Sequence, residues 1–444
     1  MANQLVALRA NGLFGHLNHE LDFSSSTGIT ILHGPNGTGK STLLRIVNEV
    51  SLHLPATLLT VPCRSIEFEF TNGQTLTIRP VDDELRYTLK SGRTTRFRWS
   101  LSRDVFVDNL YSIARAIRDD YGGRRITMMM RRNNEKLMFD YAAALVRGTS
   151  DAAFEYREYL KQGDFVDTPD WLVELWADTR AHLIEDQRLV RTVLPLVGSD
   201  EDEGRRVVTE FADELSEKIW LVLAQYGEVS QQLDRTFPTR VIAALAGSRR
   251  PRAKRLLREL EEIETRRTAL REAGLLEESA ASVGFEESEL DRRDIRSVLD
   301  VYIKDTRKKL KVFDELLAKI TLLEQLLAEH FRTIRLDASK QEGFALQSIG
   351  RSRKPLDPSL LSSGEQHLLV LFYTLLFRSP GRDSFVMIDE PEISLHPAWQ
   401  LKFVSSLERI LANTGGRVVL ATHSPQILGQ HWREAQALTL SPGE

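Results

Sequence analysis

Residues 34–41 read Gly-Pro-Asn-Gly-Thr-Gly-Lys-Ser, the spacing G-x-x-x-x-G-K-S that builds a phosphate-binding loop. Its glycines permit a tight turn whose backbone N–H groups point inward and bind anionic oxygens. Lys40 can then reach the terminal phosphates of a nucleoside triphosphate, and the Ser41 hydroxyl is a ligand for Mg²⁺. A β-branched run at 29–32 precedes the loop and a helical apolar pattern follows over 41–50. The sequence therefore predicts a strand–loop–helix unit that binds a triphosphate with magnesium.

Two carboxylates follow a second apolar strand. Residues 385–388 read Phe-Val-Met-Ile, and Asp389 and Glu390 come next. A carboxylate at the end of a strand beside a phosphate loop can support Mg²⁺, and its neighbour can act as general base toward an attacking water. The alternative is that the pair only caps a strand at the surface. The catalytic interpretation is favoured because the same chain contains a phosphate-binding loop.

Two further patterns fit the same chemistry. His423 follows the apolar strand 417–422, where it is either structural or a contact to a γ-phosphate. Ser362, Ser363 and Gly364 precede the apolar stretch 367–377. Small residues at a helix N-terminus leave N–H groups free for an anion, although they also serve as ordinary helix caps.

Composition limits the possible classes of protein. The chain has 444 residues, 42% apolar and 27% charged, which is typical of a globular protein of two or three domains. A net charge of −4 gives no global case for nucleic-acid binding. Cys63 is the one cysteine, which excludes an intrachain disulfide and a Cys-rich metal site. The longest apolar run, 368–377, is too short to span a bilayer, and no signal peptide is evident, so we expect a cytoplasmic protein without a membrane.

The first hundred residues predict strands. Short strands are expected at 4–8, 17–23 and 28–32. Alternating patterns on either side of Asn72-Gly73 and of Ser91-Gly92 predict two hairpins over 66–99. We therefore expect an antiparallel sheet beside the nucleotide-binding strands.

The middle of the chain is predicted to be helical. The clearest amphipathic stretches are Trp171–Val193 and Val207–Leu233. From 252–273 and again from 291–331 the apolar spacing is coiled-coil-like, which predicts a helical hairpin whose tip at 272–288 is either an exposed contact site or packed into the core.

A basic run at 249–255 opens this predicted hairpin. It could contact nucleic acid or an acidic partner. A solvated helix start is the favoured interpretation, because Glu259, Glu261 and Glu262 follow at once.

Five segments in this order resemble the head of an ABC-type ATPase: GPNGTGKST, LSSGEQ, FVMIDEPE, SLHP and ATHS. The chain is similar to the branch that contains SMC and RecF-like proteins, and most similar to the AriA family, the ATPase subunits of PARIS anti-phage systems. The resemblance implies an α/β fold. This would be a P-loop head, with a mixed sheet and an antiparallel β subdomain, that carries a large helical insertion including the coiled-coil-like hairpin. The expected divisions are an N-terminal lobe at 1–101, a helical insertion at 102–245, the arm at 246–333 and a C-terminal lobe at 334–444.

The resemblance also implies roles for residues. The triphosphate would be bound by Gly34, Asn36, Gly37, Thr38, Gly39, Lys40, Ser41 and Thr42. Ser41 and Asp389 would support Mg²⁺, Glu390 would be the catalytic base and His423 the switch histidine. Ser362 and Gly364 would contact the γ-phosphate held by a second subunit.

The chain departs from the family pattern at two positions. Ser363 replaces the first glycine of the transporter LSGGQ signature, and His396 stands where the SALD turn has Asp. The glutamine that links nucleotide to the helical arm has only Gln231 and Gln232 as candidates, and Phe14 is a candidate contact for the adenine.

The implied function is that of an ATP-driven switch. Two heads would close over ATP and Mg²⁺ and hydrolyse ATP slowly, in a homodimer or a higher homo-oligomer. The partners implied are a Toprim-type nuclease effector in a separate chain, like AriB, and a phage-derived trigger, with DNA as a further possible ligand. The alternatives are a RecF- or SMC-like DNA-repair ATPase and, less favoured, the ATPase subunit of a transporter.

Overall fold

The computed structural model describes most of the chain, and its residues cluster into two compact units. The described residues are 3–111, 168–185, 203–247, 251–277, 290, 292–349, 355–378, 381 and 384–439. The first unit contains Met1–Gly204 and Gln366–Glu444, and the second contains Arg205–Glu365. The four-part division predicted from the sequence stays a prediction.

The strands and helices of the described residues are given in chain order. The strands are β1 (Leu5–Leu13), β2 (Leu17–Asp22), β3 (Ile29–His33), β4 (Ser65–Phe70), β5 (Gln74–Val81), β6 (Glu84–Ser91), β7 (Thr94–Ser102), β8 (Arg180–Ile184), β9 (Ile334–Ser339), β10 (Gly343–Ser348), β11 (Pro355–Leu356), β12 (Ser384–Asp389), β13 (Arg417–Thr422) and β14 (Ala435–Ala437). The helices are α1 (Lys40–Ser51), α2 (Ala56–Thr60), α3 (Asp170–Trp176), α4 (Glu203–Ala246), α5 (Ala253–Glu272), α6 (Arg293–Lys311), α7 (Asp314–His330), α8 (Ser363–Tyr373), α9 (Pro397–Thr414) and α10 (Pro425–Leu428). No helix in this part of the chain is long and apolar enough to cross a membrane.

The first unit has an antiparallel sheet in the order β2-β1-β4-β5-β6-β7. Its inner face is apolar, as the alternation in the sequence predicts, and Phe68 and Ile78 are fully buried there. Asn72-Gly73 forms the β4–β5 turn, with Gly73 at φ +75° and the Asn72 side chain accepting a hydrogen bond from the Gln74 N–H at 2.9 Å. Both predicted hairpins are present, and the expected antiparallel sheet is confirmed.

A parallel sheet in the order β14-β3-β13-β12-β8 forms the other layer of this unit. All four ladders are parallel, so the carboxyl ends of the strands meet at one edge. β3, β12 and β13 are nearly continuous apolar runs and are buried, as parallel strands are. The mixed α/β fold class expected from the sequence is confirmed.

β8 corrects one prediction. The amphipathic pattern predicts a helix over Trp171–Val193, but α3 ends at Trp176 and β8 starts at Arg180. β8 is a strand because it pairs with β12, with Ile184 opposite Ile388, and this long-range pairing outweighs the local helical pattern. Residues 186–193 lie outside the described part of the chain.

The second unit is mainly helical, with a three-stranded sheet in the order β11-β10-β9. The predicted helix Val207–Leu233 lies inside α4, whose 44 residues extend about 66 Å. α5 lies beside α6, and Arg307 joins them by hydrogen bonds to Glu259 at 3.1 Å and to Glu262 at 2.7 Å. The large helical region is therefore present.

The predicted arm differs in detail. Its second helix, expected to be continuous over 291–331, is interrupted at Val312 and Phe313, where the Phe313 ring is buried 5.3 Å from the ring of Tyr226. Of the two alternatives for the predicted tip, Leu275 fits the packed one: it is buried, since Gly274, at φ +66°, lets the chain turn directly against the backbone of Ala338. Residues 278–289 of that tip lie outside the described residues.

Candidate functional site

Three neighbouring strands end beside one another at one edge of the parallel sheet, and predicted site residues lie at these ends or follow them. β3 lies next to β13, with His33 opposite Thr422, and β13 lies next to β12, with Ala421 opposite Asp389. The segments that follow these strands therefore start side by side. They are the loop 34–39, the residues from His423 onward and the turn from Glu390 onward.

The loop 34–39 needs glycine at three positions, and at Gly37 the reason is a φ of +83°, in the left-handed region. A Cβ on Gly34 would lie 2.4 Å from the carbonyl oxygen of Leu438, and one on Gly39 would lie 2.9 Å from Leu13 Cδ2. Gly39 also has φ +85°, in the left-handed region. α1 starts at Lys40, so Ser41 and Thr42 lie in its first turn, where free N–H groups and the helix dipole favour an anion.

The Lys40 side chain folds back over this loop. Its Nζ donates to the carbonyl oxygens of Gly34 at 2.8 Å and Pro35 at 3.1 Å, and lies 3.4 Å from Nδ1 of His423. Burial lowers the pKa of Lys40, and the nearby carboxylates of Glu390 and Asp389 oppose that shift. The ammonium group is thus buried in the loop at the point where a phosphate would sit.

Asp389, the last residue of β12, faces the first turn of α1. Burial raises its pKa to about 6, while a hydrogen bond with Ser41 opposes the shift and Glu390 adds to it. Its Oδ1 is buried and has no hydrogen-bond partner among the described residues.

These oxygens fit Mg²⁺. It takes hard oxygen ligands, keeps several waters and is bound through one or two protein groups plus phosphate oxygens. Ser41 and Asp389 supply such groups, and no cluster of three or more His, Cys, Asp or Glu residues elsewhere in the described ranges could hold a metal. The residues present therefore suit a magnesium ion shared with a triphosphate.

Glu390 is held in an unusual conformation. Its φ is +47°, which is rare for a residue with a side chain, and its N–H donates to the Ala421 carbonyl at 2.8 Å. Its Oε1 lies 3.4 Å from Nε2 of His423. Since Lys40 can only donate, Nδ1 of His423 is the acceptor on that side and Nε2 carries the hydrogen that faces Glu390.

A second carboxylate, Glu392, holds the segment that carries the histidine. Its Oε1 accepts hydrogen bonds from the N–H groups of His423 at 2.6 Å and Ser424 at 3.1 Å. The Ser424 hydroxyl lies 2.6 Å from Oε1 of Gln400 and caps α10. The role of Glu392 does not follow from residue type, because its partners are backbone groups 31 and 32 positions away. The one available signal was a third carboxylate in the turn after β12.

His396 has a local role that explains its departure from the family pattern. Its Nδ1 accepts a hydrogen bond from the Ala398 N–H at 3.2 Å, and Pro397 follows as the first residue of α9. His396 is thus the N-cap of α9. Asp, which the SALD turn has at this position, is also a good N-cap residue.

Ser362 and Gly364 belong to the second unit. Ser362 is exposed at the N-terminus of α8, where its hydroxyl and N–H both bind the Glu365 carboxylate, at 2.7 and 2.8 Å. The Glu365 N–H donates back to the Ser362 hydroxyl at 3.3 Å. This reciprocal pair is a capping box.

The remaining candidates fall in different places. Phe14, at φ +53°, is 39% exposed and its Cε2 would lie 3.4 Å from a Cβ on Gly39, so its ring lies against the loop 34–39. Gln231 and Gln232 are exposed in the middle of α4, in the second unit.

Comparison with known families finds two matching segments. Residues 230–429 match the family described as "AAA domain, putative AbiEii toxin, Type IV TA system", and residues 7–48 match an AAA domain family. The protein ea59 of Escherichia phage lambda is 40% identical over 70 residues, which is 16% of this chain and 13% of ea59. The match thus spans a small part of that relative's length.

Two solved structures align along most of the chain. One is the Smc head domain of Pyrococcus furiosus with an extended coiled coil, bound to the C-terminal domain of ScpA. It has a TM-score of 0.36, 13% identity and coverage of 96% of this chain and 91% of that one. The other is an SmcHead bound to the C-winged helix domain of ScpA, with a TM-score of 0.37, 12% identity and the same coverage. The two matched segments contain the loop 34–39 and the strand ends at Asp389 and His423, and over them the chain is similar to families of AAA domains.

Proposed function

We propose that this chain is an ATP-binding and ATP-hydrolysing switch subunit. The observation that carries the proposal is the line of contacts at one sheet edge, from Lys40 through His423 to Glu390, beside Ser41 and Asp389. Hydrolysis of a terminal phosphate uses a lysine on the phosphates, ligands for magnesium and a group that positions or deprotonates the attacking water. Lys40, the pair Ser41 and Asp389, and Glu390 are groups of these three kinds, and His423 adds a hydrogen-bond donor.

Each residue then has one task. The N–H groups of 36–42 and the Lys40 ammonium bind the triphosphate, and His423 contacts the γ-phosphate through Nε2–H. Glu390 takes a proton from the attacking water. As the water oxygen bonds to the γ-phosphorus, the bond from that phosphorus to the β,γ-bridging oxygen breaks, which gives ADP and phosphate. Ser41 and Asp389 would hold Mg²⁺, which neutralises charge on the phosphates when bound.

We further propose that two copies share each site. Ser362 is exposed at a helix N-terminus, which suits a γ-phosphate presented by another molecule. A two-fold pair would let each copy's Ser362 and Gly364 complete the other copy's phosphate loop.

The switch would control a partner nuclease of the Toprim type and respond to a phage-derived trigger. This rests on the resemblance to the AriA family. It gains support from the matched family's description, which names a toxin and a toxin–antitoxin system.

Two measurements test the proposal. ATP hydrolysis by the full chain should be lost in Lys40→Ala through weaker nucleotide binding, by roughly tenfold or more in Kd. Purification from a native host should bring down a nuclease chain. A wild-type chain that neither binds nor hydrolyses ATP would contradict the switch, whereas purification with DNA or a membrane protein alone would contradict the effector assignment.

One observation favours the alternative, an ATPase that acts on DNA. The outer face of β5–β7 carries Arg79 directly opposite Arg86, with Lys90 and Arg98 beside them, and these line a cavity of about 640 Å³. Glu84, which pairs with Arg86, is the one carboxylate of that lining. Like charges directly opposite one another destabilise a sheet, so an anion such as a phosphate backbone would relieve them.

The alternative predicts salt-dependent binding of duplex DNA. Replacing Arg79 and Arg98 together by Glu should weaken binding uniformly across sequences and lower the slope of log K against log salt by roughly 2. Lys402→Glu, which reverses the charge of an exposed cation on α9, is the control. Wild-type protein that does not bind duplex DNA at low salt would exclude this alternative.

A further inference from the structure

The turn 390–396 is fastened to the segment that carries His423 through a single carboxylate oxygen. Glu392 Oε1 accepts both the His423 and the Ser424 N–H groups. The Ser424 N–H has a second acceptor, the Thr422 hydroxyl at 2.9 Å, so the His423 N–H depends on Glu392 more heavily. Hydrogen bonds to a charged acceptor are roughly twice as strong as neutral ones, so this contact fixes the backbone of His423 firmly.

The same turn is fastened a second time, at its far end. Gln400 Nε2 donates to the Leu395 carbonyl at 2.9 Å, and Gln400 Oε1 accepts from the Ser424 hydroxyl at 2.6 Å. Between these two attachments the crest of the turn, Ile393 and Ser394, is exposed. Gln400 thus joins the turn to Ser424, whereas Glu392 joins it to the N–H of His423 itself.

The contacts made by the His423 ring are long enough to be sensitive to this attachment. Both ring nitrogens stand 3.4 Å from their partners, Lys40 Nζ and Glu390 Oε1. A shift of the His423 backbone by a few tenths of an ångström therefore decides whether the ring can reach a phosphate between those groups, and misplacement by 1 Å can cost about 10²-fold in rate.

We propose that Glu392 is a positioning residue that sets His423 for hydrolysis and makes the ring's position depend on the turn 390–396. This rests on the proposed ATPase function and specifies how its site is regulated. A contact on the exposed crest at Ile393 and Ser394, such as a second copy would make, is then transmitted directly to the His423 N–H by Glu392.

A double-mutant cycle on the full chain tests the proposal. Glu392→Ala should lower kcat by about 10²-fold and leave the Kd for a fluorescent ATP analogue within about threefold. Because Glu392 acts through the histidine, the same change in a His423→Ala background should cost no more than about threefold further. Losses that multiply in the double variant, or a single variant within threefold of wild type in kcat, would overturn the proposal.

Two variants serve as controls. Glu392→Gln keeps the volume and one acceptor oxygen without the charge, so its loss of kcat should be smaller than that of Glu392→Ala. If the alanine variant does not fold, the double-mutant cycle with His423→Ala is measured with Glu392→Gln instead. Glu408→Ala removes a carboxylate of α9 that lies 3.8 Å from His431, and it should change kcat by no more than about twofold.

Hydrogen exchange separates this proposal from the proposed function. Amide exchange in a peptide spanning His423 and Ser424 should be at least about tenfold faster in Glu392→Ala, and unchanged in Glu408→Ala. Unchanged exchange in Glu392→Ala would overturn the positioning role. A wild-type chain without ATPase activity would instead remove the proposed function, while the exchange result would still decide the role of Glu392.

Discussion

Glu390, the proposed general base, also has an unusual backbone conformation. A φ of +47° is unfavourable for a residue with a side chain, by about 1–3 kcal/mol, and it persists because the Glu390 N–H is bonded to Ala421. This conformation turns the carboxylate toward His423 instead of continuing β12. Asp389, one residue earlier, points to Ser41, so two adjacent carboxylates serve different partners.

Replacing Glu390 by Gln should separate binding from hydrolysis. The amide keeps the size of the side chain but cannot take a proton, so ATP should still bind while kcat falls by roughly 10²–10⁴-fold. Steady-state phosphate release and single-turnover hydrolysis measure the loss, and Glu408→Gln is the control. Near wild-type turnover in Glu390→Gln would mean that another group is the base.

Among the elements, α7 contains a half-buried acid, Glu324, that has no role in the proposed site and lies near Arg335 and Asp337 of β9. Burial raises the pKa of Glu324 to about 7, Asp337 adds to the shift, and Arg335 opposes it. The folded chain therefore holds this proton more tightly than the unfolded chain does. Its contribution to stability is present at low pH and falls as pH rises from about 4.5 to about 7, by at most about 3 kcal/mol.

Glu324→Gln should stabilise the protein at neutral pH for this reason. The unfolding midpoint in urea should rise at pH 8 and differ little from wild type at pH 4, where Glu324 is protonated anyway. Glu315→Gln, on the same helix, removes a carboxylate bonded to Lys319 at 2.7 Å and should not stabilise. Equal unfolding midpoints of Glu324→Gln and wild type at pH 8 would show that burial of the ionised Glu324 carboxylate does not destabilise the folded protein.

The sequence predicts those strands and helices that a local apolar pattern marks. Apolar runs that end in Gly34, Asp389 or His423 carry both the strand and its chemistry, so the order of the strands needs only parallel pairing. β8 was missed because its burial comes from pairing with β12. Glu392 was missed because its partners are N–H groups, which no residue type reveals. For the tip at 272–288 the pattern leaves an exposed contact site and a core-packed turn equally open, and at Leu275 the turn at Gly274 decides for the core.

For the whole molecule, the remaining question is where Ser362 acts. The groups gathered in the first unit can bind a triphosphate and supply a base, yet Ser362 and Gly364 lie at the N-terminus of α8 in the second unit. The Ser362 hydroxyl and N–H both donate to the Glu365 carboxylate, so a phosphate that binds them must take the place of that carboxylate. If a second copy supplies that end, activity should be restorable between two inactive variants.

Ser362→Arg and Lys40→Ala should therefore complement each other. Ser362→Arg places bulk and charge at the helix end and should abolish turnover while sparing nucleotide binding, whereas Lys40→Ala loses binding. In a mixed pair, one site has the intact phosphate loop of the first variant and the intact Ser362 of the second, and the other site has neither. Random pairing should thus return roughly a quarter of wild-type phosphate release. Differently tagged variants confirm that mixed pairs form, and a mixture as inactive as its parents would rule out sharing of the site, because each copy would then have to complete its own.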